Sequence, residues 1–140
     1  MSGTSERGSA TLELAIIGPA LIVLLAVVIA AGRIQVAGGA VEQAAAAGAR
    51  EASIARSPAA AAAIAEAAAT RVLTQQDLDC AALTVTTDTS GYAAPVGQVG
   101  QVGATVTCVV PLSDLGVPVL PGARTLTAQS TSVLDRYRGR

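Results

Sequence analysis

The sequence predicts an α+β fold: a long N-terminal transmembrane helix continuing into an amphipathic helix, a short second helix, and a small three-stranded antiparallel sheet packed on the first helix. Three observations support this prediction. Residues 14–32 carry no charge, residues 33–56 place small apolar residues at helical spacing, and the chain from residue 83 alternates apolar and polar residues. A chain of 140 residues is long enough for one domain with attached segments.

The first element is an uncharged run of nineteen residues, Leu14–Gly32, which Arg33 ends. A bilayer core of ~30 Å needs about 20 apolar residues at a rise of ~1.5 Å per residue, so this run is long enough to span it. Pro19 removes one backbone hydrogen bond and is predicted to bend the helix, which membrane helices tolerate. With its flanking residues, the predicted span covers 9–32.

Three interpretations of this segment compete. A secretory signal peptide would be cleaved near Ala30 and Ala31, but the run exceeds the ~7–15 apolar residues typical of such a core. A plain signal anchor accounts for the run but not for Glu13, because a carboxylate costs ~2.5–3.5 kcal/mol near a membrane centre and less near its edge. The third interpretation is an anchor preceded by a short cleavable leader, and it depends on the residues around Glu13. In both anchored forms, Arg7 favours a cytoplasmic N-terminus and places residues 33–140 outside the cytoplasm.

The residues around Glu13 resemble a processing signal. Gly8 stands five residues before Glu13 and directly ahead of the hydrophobic helix, as in type IV pilin precursors, and the segment RGSATLELAIIGPALIVLL is similar to the TadE-like family of minor pilins, or pseudopilins. The resemblance implies that a prepilin peptidase removes residues 1–8, so that Ser9 becomes the new N-terminus. It also implies that Glu13 pairs with the terminal amine of a neighbouring subunit, because a lone buried charge is strongly disfavoured. Major pilins of the related small type carry an aromatic residue where this chain has Leu14, which favours a minor subunit.

Residues 33–56 extend the helix beyond the predicted span. A stripe of mostly small apolar residues recurs at helical spacing and is expected to pack on the chain's own sheet, with packing between subunits as the alternative. The stripe comprises Ile34, Ala37, Val41, Ala44, Gly48, Ala52 and Ala55. Ser57 as N-cap and Pro58 in the first turn predict a second helix over 59–73. Its side chains are mostly Ala and leave little to bury, so a solvated surface helix is expected.

Alternating residues predict three strands, near 83–89, 101–110 and 124–133. Gly and Pro in the connections predict turns. The second connection, 111–122, is apolar and is expected to cover the open end of the core, with contact to a partner or to the membrane surface as alternatives. The basic tail, 136–140, is interpreted as a solvated chain end, with contact to anionic lipid or envelope polymer as the alternative.

The two cysteines are predicted to form a disulfide. Cys80 precedes the first strand and Cys108 lies in the second, so a hairpin would bring the two sulfurs near one another. Export favours oxidation, and closing a loop of this size stabilises a domain by about 3–4 kcal/mol in the chain-entropy model. Two buried free thiols are the alternative for a cytosolic domain.

The composition argues against catalysis. The chain has no His, which excludes Ser-His-Asp and Cys-His arrangements and any His-containing metal site. Asp77 and Asp79 are interpreted as turn and cap residues rather than metal ligands. We therefore expect no enzyme, no catalytic residue, no cofactor and no metal, and the net charge of −1 gives no reason to expect a nucleic-acid partner.

The resemblance to TadE-like proteins implies a structural minor pilin for assembly of a Tad-type (type IV-like) pilus or secretion filament, used in adhesion or export. The implied partners are membrane lipid, prepilin peptidase, other pilin subunits and the pilus assembly platform. The implied location is a single-pass cell membrane protein with an extracytoplasmic domain, which enters a surface filament. The alternative is a membrane-anchored or secreted binding module unrelated to pili, which recognises an envelope partner through its apolar loop and sheet edge.

Overall fold

Two helices precede three strands in the computed structural model, which describes residues 5–116 and 121–135, with side chains from Leu12 onward. The sheet is antiparallel and packs on the first helix, which confirms the predicted α+β fold class. The elements, in chain order, are α1 (Ser5–Ile54), α2 (Pro58–Gln75), β1 (Ala82–Asp88), a 3₁₀ turn (Ser90–Ala93), β2 (Gln101–Pro111) and β3 (Ala123–Val133).

Helix α1 runs for 50 residues without interruption, with Pro19 inside it. At 1.5 Å per residue its length is about 75 Å, more than twice the thickness of a bilayer core. It ends at Ile54 because Pro58 disfavours helical geometry at the residue before it, and Ser57 is accordingly extended, with φ −144° and ψ 156°.

Helix α2 begins as predicted. The Ser57 side chain accepts a hydrogen bond from the Ala60 backbone N–H at 3.2 Å, and Pro58 occupies the first turn. The helix is not the solvated surface helix that its composition predicts, because one face packs against α1 and is buried. The buried residues of that face are Ala61, Ala65, Ala68, Ala69 and Leu73. The two backbones approach closely, since a Cβ added at Gly48 would lie 3.2 Å from the Ala65 carbonyl oxygen.

The end of α2 is closed by a Schellman-type turn. Asp77 has φ 51°, in the left-handed region, and its N–H donates to the Thr74 carbonyl at 3.2 Å. The Leu78 N–H donates to the Leu73 carbonyl at 3.0 Å, which satisfies a further carbonyl of the last turn. The structure thus confirms Asp77 as a turn residue.

Strand β2 is central and pairs antiparallel with both β1 and β3. The two outer strands therefore run parallel to each other and form the edges of the sheet. Along β2, the side chains that face the helices are fully buried: Val102, Ala104, Val106, Cys108 and Val110. The opposite face is rich in threonine, and one row across it consists of Thr84, Thr107 and Thr127.

The core consists of two clusters at different heights along α1. The proximal cluster contains Ala37 and Val41 of α1 with Val110 of β2, and the distal cluster contains Ala52 with Val102. Helix α1 therefore runs antiparallel to β2 and in the same direction as the two edge strands.

As predicted, Cys80 and Cys108 form a disulfide, with their Cα atoms 5.3 Å apart. Cys108 is fully buried in the proximal cluster. The bond joins the segment between α2 and β1 to the central strand, and so fixes the end of the domain that lies nearest the uncharged part of α1.

Candidate functional site: the exposed half of α1

The candidate site is the first half of α1, residues 12–32, which we call the apolar half. Its large apolar side chains are all exposed, from 45% at Ile17 to 75% at Leu14. An 18-residue window of α1 has a mean hydropathy of 2.9, and none of that window is buried. A contiguous apolar surface of this extent marks a membrane or protein contact. Among the described residues, α1 is the one helix long and apolar enough to cross a membrane.

The second half of α1, residues 33–54, is the packing half. The residues of the predicted small apolar stripe that lie in this half are buried, except Ile34, which is partly buried against the proximal cluster, and Ala55, just after the helix, is buried as well. These side chains face the sheet and α2 of the same chain. Packing on the chain's own sheet, which the sequence favours over packing between subunits, is therefore observed.

Arg33 stands where the two halves meet. Its side chain lies along the connection between β2 and β3, because a Cβ added at Gly116 would be 3.1 Å from the Arg33 Cδ. Gly116 also has φ +83°, which glycine adopts without strain. The neighbouring Leu115 is buried in the proximal cluster, in agreement with the expected covering of the core. Residues 117–120 of this connection and the basic tail lie outside the described residues.

Glu13 lies on the exposed surface of the apolar half. No hydrogen bond or ion pair joins it to any side chain from residue 12 onward that the structure describes. Gly8 and Ser9 are in the first turns of α1 and Pro19 is inside it. Cleavage between Gly8 and Ser9, a bend at Pro19 and the division into leader, span and outer domain stay predictions.

An open cleft of about 500 Å³ lies at the distal end of the domain, where α1 ends and α2 begins. Its lining includes Arg56, Pro58, Ser90, Tyr92, Val96 and Leu134. The Tyr92 hydroxyl donates to the carbonyl oxygens of Ala52, at 2.6 Å, and Ala55, at 3.2 Å. Tyr92 thus stabilises the last turn of α1. The only indication of this role in the sequence is that Tyr92 is one of two aromatic residues.

Polar contacts elsewhere are structural. Arg71 of α2 forms an ion pair with Glu51 of α1 on the surface, where such a pair contributes about 0–1 kcal/mol. The Ser90 backbone N–H donates to the Asp88 carboxylate at 2.9 Å, and this hydrogen bond lowers the pKa of Asp88. No group of three His, Cys, Asp or Glu side chains that could hold a metal ion occurs in the part of the chain that the structure describes.

These features define a class of protein: a single exposed apolar helix that continues without a break into a small, disulfide-bonded α+β domain. Residues 8–50 match the family model described as TadE-like protein, which confirms the predicted resemblance over the segment from Gly8 to Glu13, the apolar half and most of the packing half. The match indicates a Tad pilus-related protein with a membrane-anchoring helix. Comparisons with curated proteins and with solved structures give no match.

Proposed function

We propose that this chain is a non-catalytic minor pilin, or pseudopilin, of a Tad-type pilus or secretion filament. The observation that carries the proposal is the contrast within α1. The apolar stripe of its packing half is buried in its own domain, whereas the large side chains of its apolar half are exposed, as is Glu13. Adhesion and export are the uses that such a filament serves, and the domain outside the membrane is the part of the subunit available for them.

The proposed assembly step depends on the charge of Glu13. A prepilin peptidase cleaves after Gly8 and leaves a free amine on Ser9. In a bundle of such helices the Glu13 carboxylate of one subunit pairs with the Ser9 amine of another, since either charge alone in hydrocarbon is heavily penalised.

Because α1 is continuous, the position at which Glu13 pairs also determines the position of the domain. Glu13 and Arg33 are about 30 Å apart along α1, because each residue adds 1.5 Å. The packing half is fixed to the sheet, so the height at which Glu13 pairs sets the height of the whole domain in the filament. The other partners in this proposal are membrane lipid, further pilin subunits and the pilus assembly platform.

The test is the Glu13→Gln variant, which keeps the size and shape of the side chain but removes its charge. We expect processing at Gly8 to continue and the amount of protein in a sheared filament fraction to fall at least tenfold. The matched control is Glu42→Gln, an exposed glutamate on the packing half of the same helix, which is expected to assemble as the native chain does.

Mass spectrometry of the mature N-terminus is the second readout. A chain that begins at Ser9 supports the proposal, and Met1 retained in cells with an active prepilin peptidase contradicts it. Normal assembly of the Glu13→Gln variant would also contradict it.

The distal cleft favours one alternative, an anchored or secreted module that binds an envelope partner. An N-terminus near Ala31 or Gly32, created by conventional secretion, would support this alternative. Function would then survive Glu13→Gln and be lost on Val96→Glu, which places a charge on an exposed residue of the cleft.

A further inference from the structure

Both edges of the sheet are open among the described residues, since β1 and β3 each pair only with β2. The unpaired backbone N–H and C=O groups of an edge strand are a template for pairing with another chain, and proteins commonly protect such edges with Lys, Pro, bulges or short strands. The register of β3 against β2 is continuous over all 11 residues, without a bulge. Residues 125–133 contain no charged residue, no Pro and no Gly. Residues 125–133 of the β3 edge therefore lack these protections.

Each edge also leaves apolar side chains incompletely covered. Leu83 and Val85 on β1 and Leu126 and Ala128 on β3 are only partly buried, whereas the residues between them on β2 are fully buried. A further strand beside either edge would cover them. The two edges thus share two features. Each has unpaired backbone groups, and each has partly covered apolar side chains on the face that packs against the helices.

The directions of the edge strands determine which edges of two copies can pair. Both edge strands run in the same direction as α1, so copies anchored in one membrane present all their β1 and β3 strands pointing the same way. If β3 of one copy meets β1 of the next copy, the strands pair in parallel and every α1 stays on the same face of the sheet. Antiparallel pairing of β3 with β3, or of β1 with β1, would point the two α1 helices in opposite directions.

The register of the strands within one chain also determines the relative height at which two neighbouring copies would pair. Thr84 and Thr127 both align with Thr107 of β2, Leu83 and Leu126 both align with Cys108, and Val85 and Ala128 both align with Val106. A neighbouring copy at the same membrane depth therefore places Thr84 beside Thr127. That register puts apolar residues beside apolar residues on the helix side and threonine beside threonine on the other, where the Thr107 and Thr127 hydroxyls are already 3.2 Å apart within one chain.

We propose that copies of this chain associate side by side in the membrane through parallel pairing of β3 in one copy with β1 in the next, with Thr127 beside Thr84 of the neighbouring copy. The interface joins two different surfaces, so it does not close on itself in a dimer and builds a row of copies. The inference rests on the membrane anchorage of the proposed function, but not on cleavage after Gly8 or on the pairing of Glu13.

Disulfide cross-linking of the full-length chain in native membranes tests the interface. In the Thr84→Cys/Thr127→Cys double variant the two new cysteines of one chain are two strand spacings apart, about 9.5 Å, which exceeds the ~7 Å limit for a disulfide. Cysteines of adjacent copies would be one strand spacing apart, about 4.8 Å. Oxidation is expected to give a ladder of covalent dimers, trimers and larger species on a non-reducing gel.

The single variants and a shifted pair are the controls. Each single variant alone is expected to remain monomeric, and a mixture of the two is expected to give dimers without a ladder. In the Thr84→Cys/Thr131→Cys variant the second cysteine is four residues further along β3, about 13 Å away, so no ladder is expected.

Three results would overturn the inference: no ladder from the Thr84→Cys/Thr127→Cys variant, dimers from either single variant, or an equal ladder from the shifted pair. Repeating the experiment with Glu13→Gln separates the two proposals. The side-by-side ladder is expected to persist in that background, whereas filament assembly is expected to be lost.

Discussion

The two halves of α1 belong to one continuous helix but have opposite surroundings. The apolar half is built from large residues such as Leu24, which is 59% exposed, and the packing half from small residues such as Ala45, which is fully buried. The more hydrophobic half is therefore the more exposed one. Among the described residues, burial follows how closely two backbones can approach rather than how hydrophobic the side chains are. None of these residues buries the apolar half, and an apolar surface of this extent marks a contact with a membrane or another protein.

This contrast predicts that the α+β domain can be destabilised without affecting the apolar half. The largest effect is expected from replacing both Cys80 and Cys108 by Ala. Their sequence separation is 28 residues, and losing a cross-link that closes such a loop costs about 3–4 kcal/mol in the chain-entropy model. Urea unfolding of the domain in detergent micelles, followed by circular dichroism, would measure this loss.

The control is the fraction of the double variant that sediments with membranes, which measures the membrane association of the apolar half. It is expected to match the native chain, because neither cysteine contacts the apolar half. An unchanged unfolding midpoint, or a loss of membrane association, would contradict the independence of the two halves.

A matched pair of substitutions tests the contrast itself. Ala45→Leu forces a larger side chain into the fully buried contact of the packing half and is expected to destabilise the domain by about 1–3 kcal/mol through overpacking. Ala26→Leu makes the same change on the exposed apolar half and is expected to leave domain stability unchanged. Comparable losses of stability for the two variants, measured by the same urea unfolding, would show that the apolar half packs on the domain after all.

The sequence predicts the architecture because each half of α1 carries its own signal. A long uncharged run depends only on composition, and a stripe such as Val41, Ala44 and Ala52 depends only on the period of the helix, so both are visible without tertiary information. Cys80 and Cys108 are predictable as a pair because a hairpin brings nearby parts of the chain together.

What the sequence does not predict is set by contacts between distant segments. An alanine-rich sequence is typical both of a solvated helix and of a close helix–helix contact. The burial of Ala65 is therefore not predictable from the sequence. The hydrogen bond from Tyr92 to Ala52 joins residues 40 positions apart, and the contact between Arg33 and Gly116 depends on how the β2–β3 connection returns to α1. At the candidate site the sequence indicates the role of Glu13 only through the family resemblance, which implies that the group pairing with Glu13 belongs to another subunit.

The smallest expected effect concerns α2, the helix against which the packing half is buried. Asp77 follows this helix with φ 51°, a conformation that costs an ordinary L-residue about 1–2 kcal/mol and that Asp adopts at a lower cost. Its carboxylate also lies beside the negative end of the helix dipole, which disfavours it further. Replacing Asp77 by Gly removes both penalties and is expected to stabilise the domain by about 0.5–1 kcal/mol.

The Asp77→Asn variant separates the two contributions, because Asn removes the charge but keeps a side chain that tolerates the left-handed region. Urea unfolding should place its stability between those of the native chain and Asp77→Gly. Since the turn after α2 holds Leu78 against the proximal cluster, both variants should raise the stability of the domain and leave the membrane association of the apolar half unchanged. A loss of stability in Asp77→Gly would instead show that the Asp77 side chain makes a favourable contact that outweighs its strained backbone.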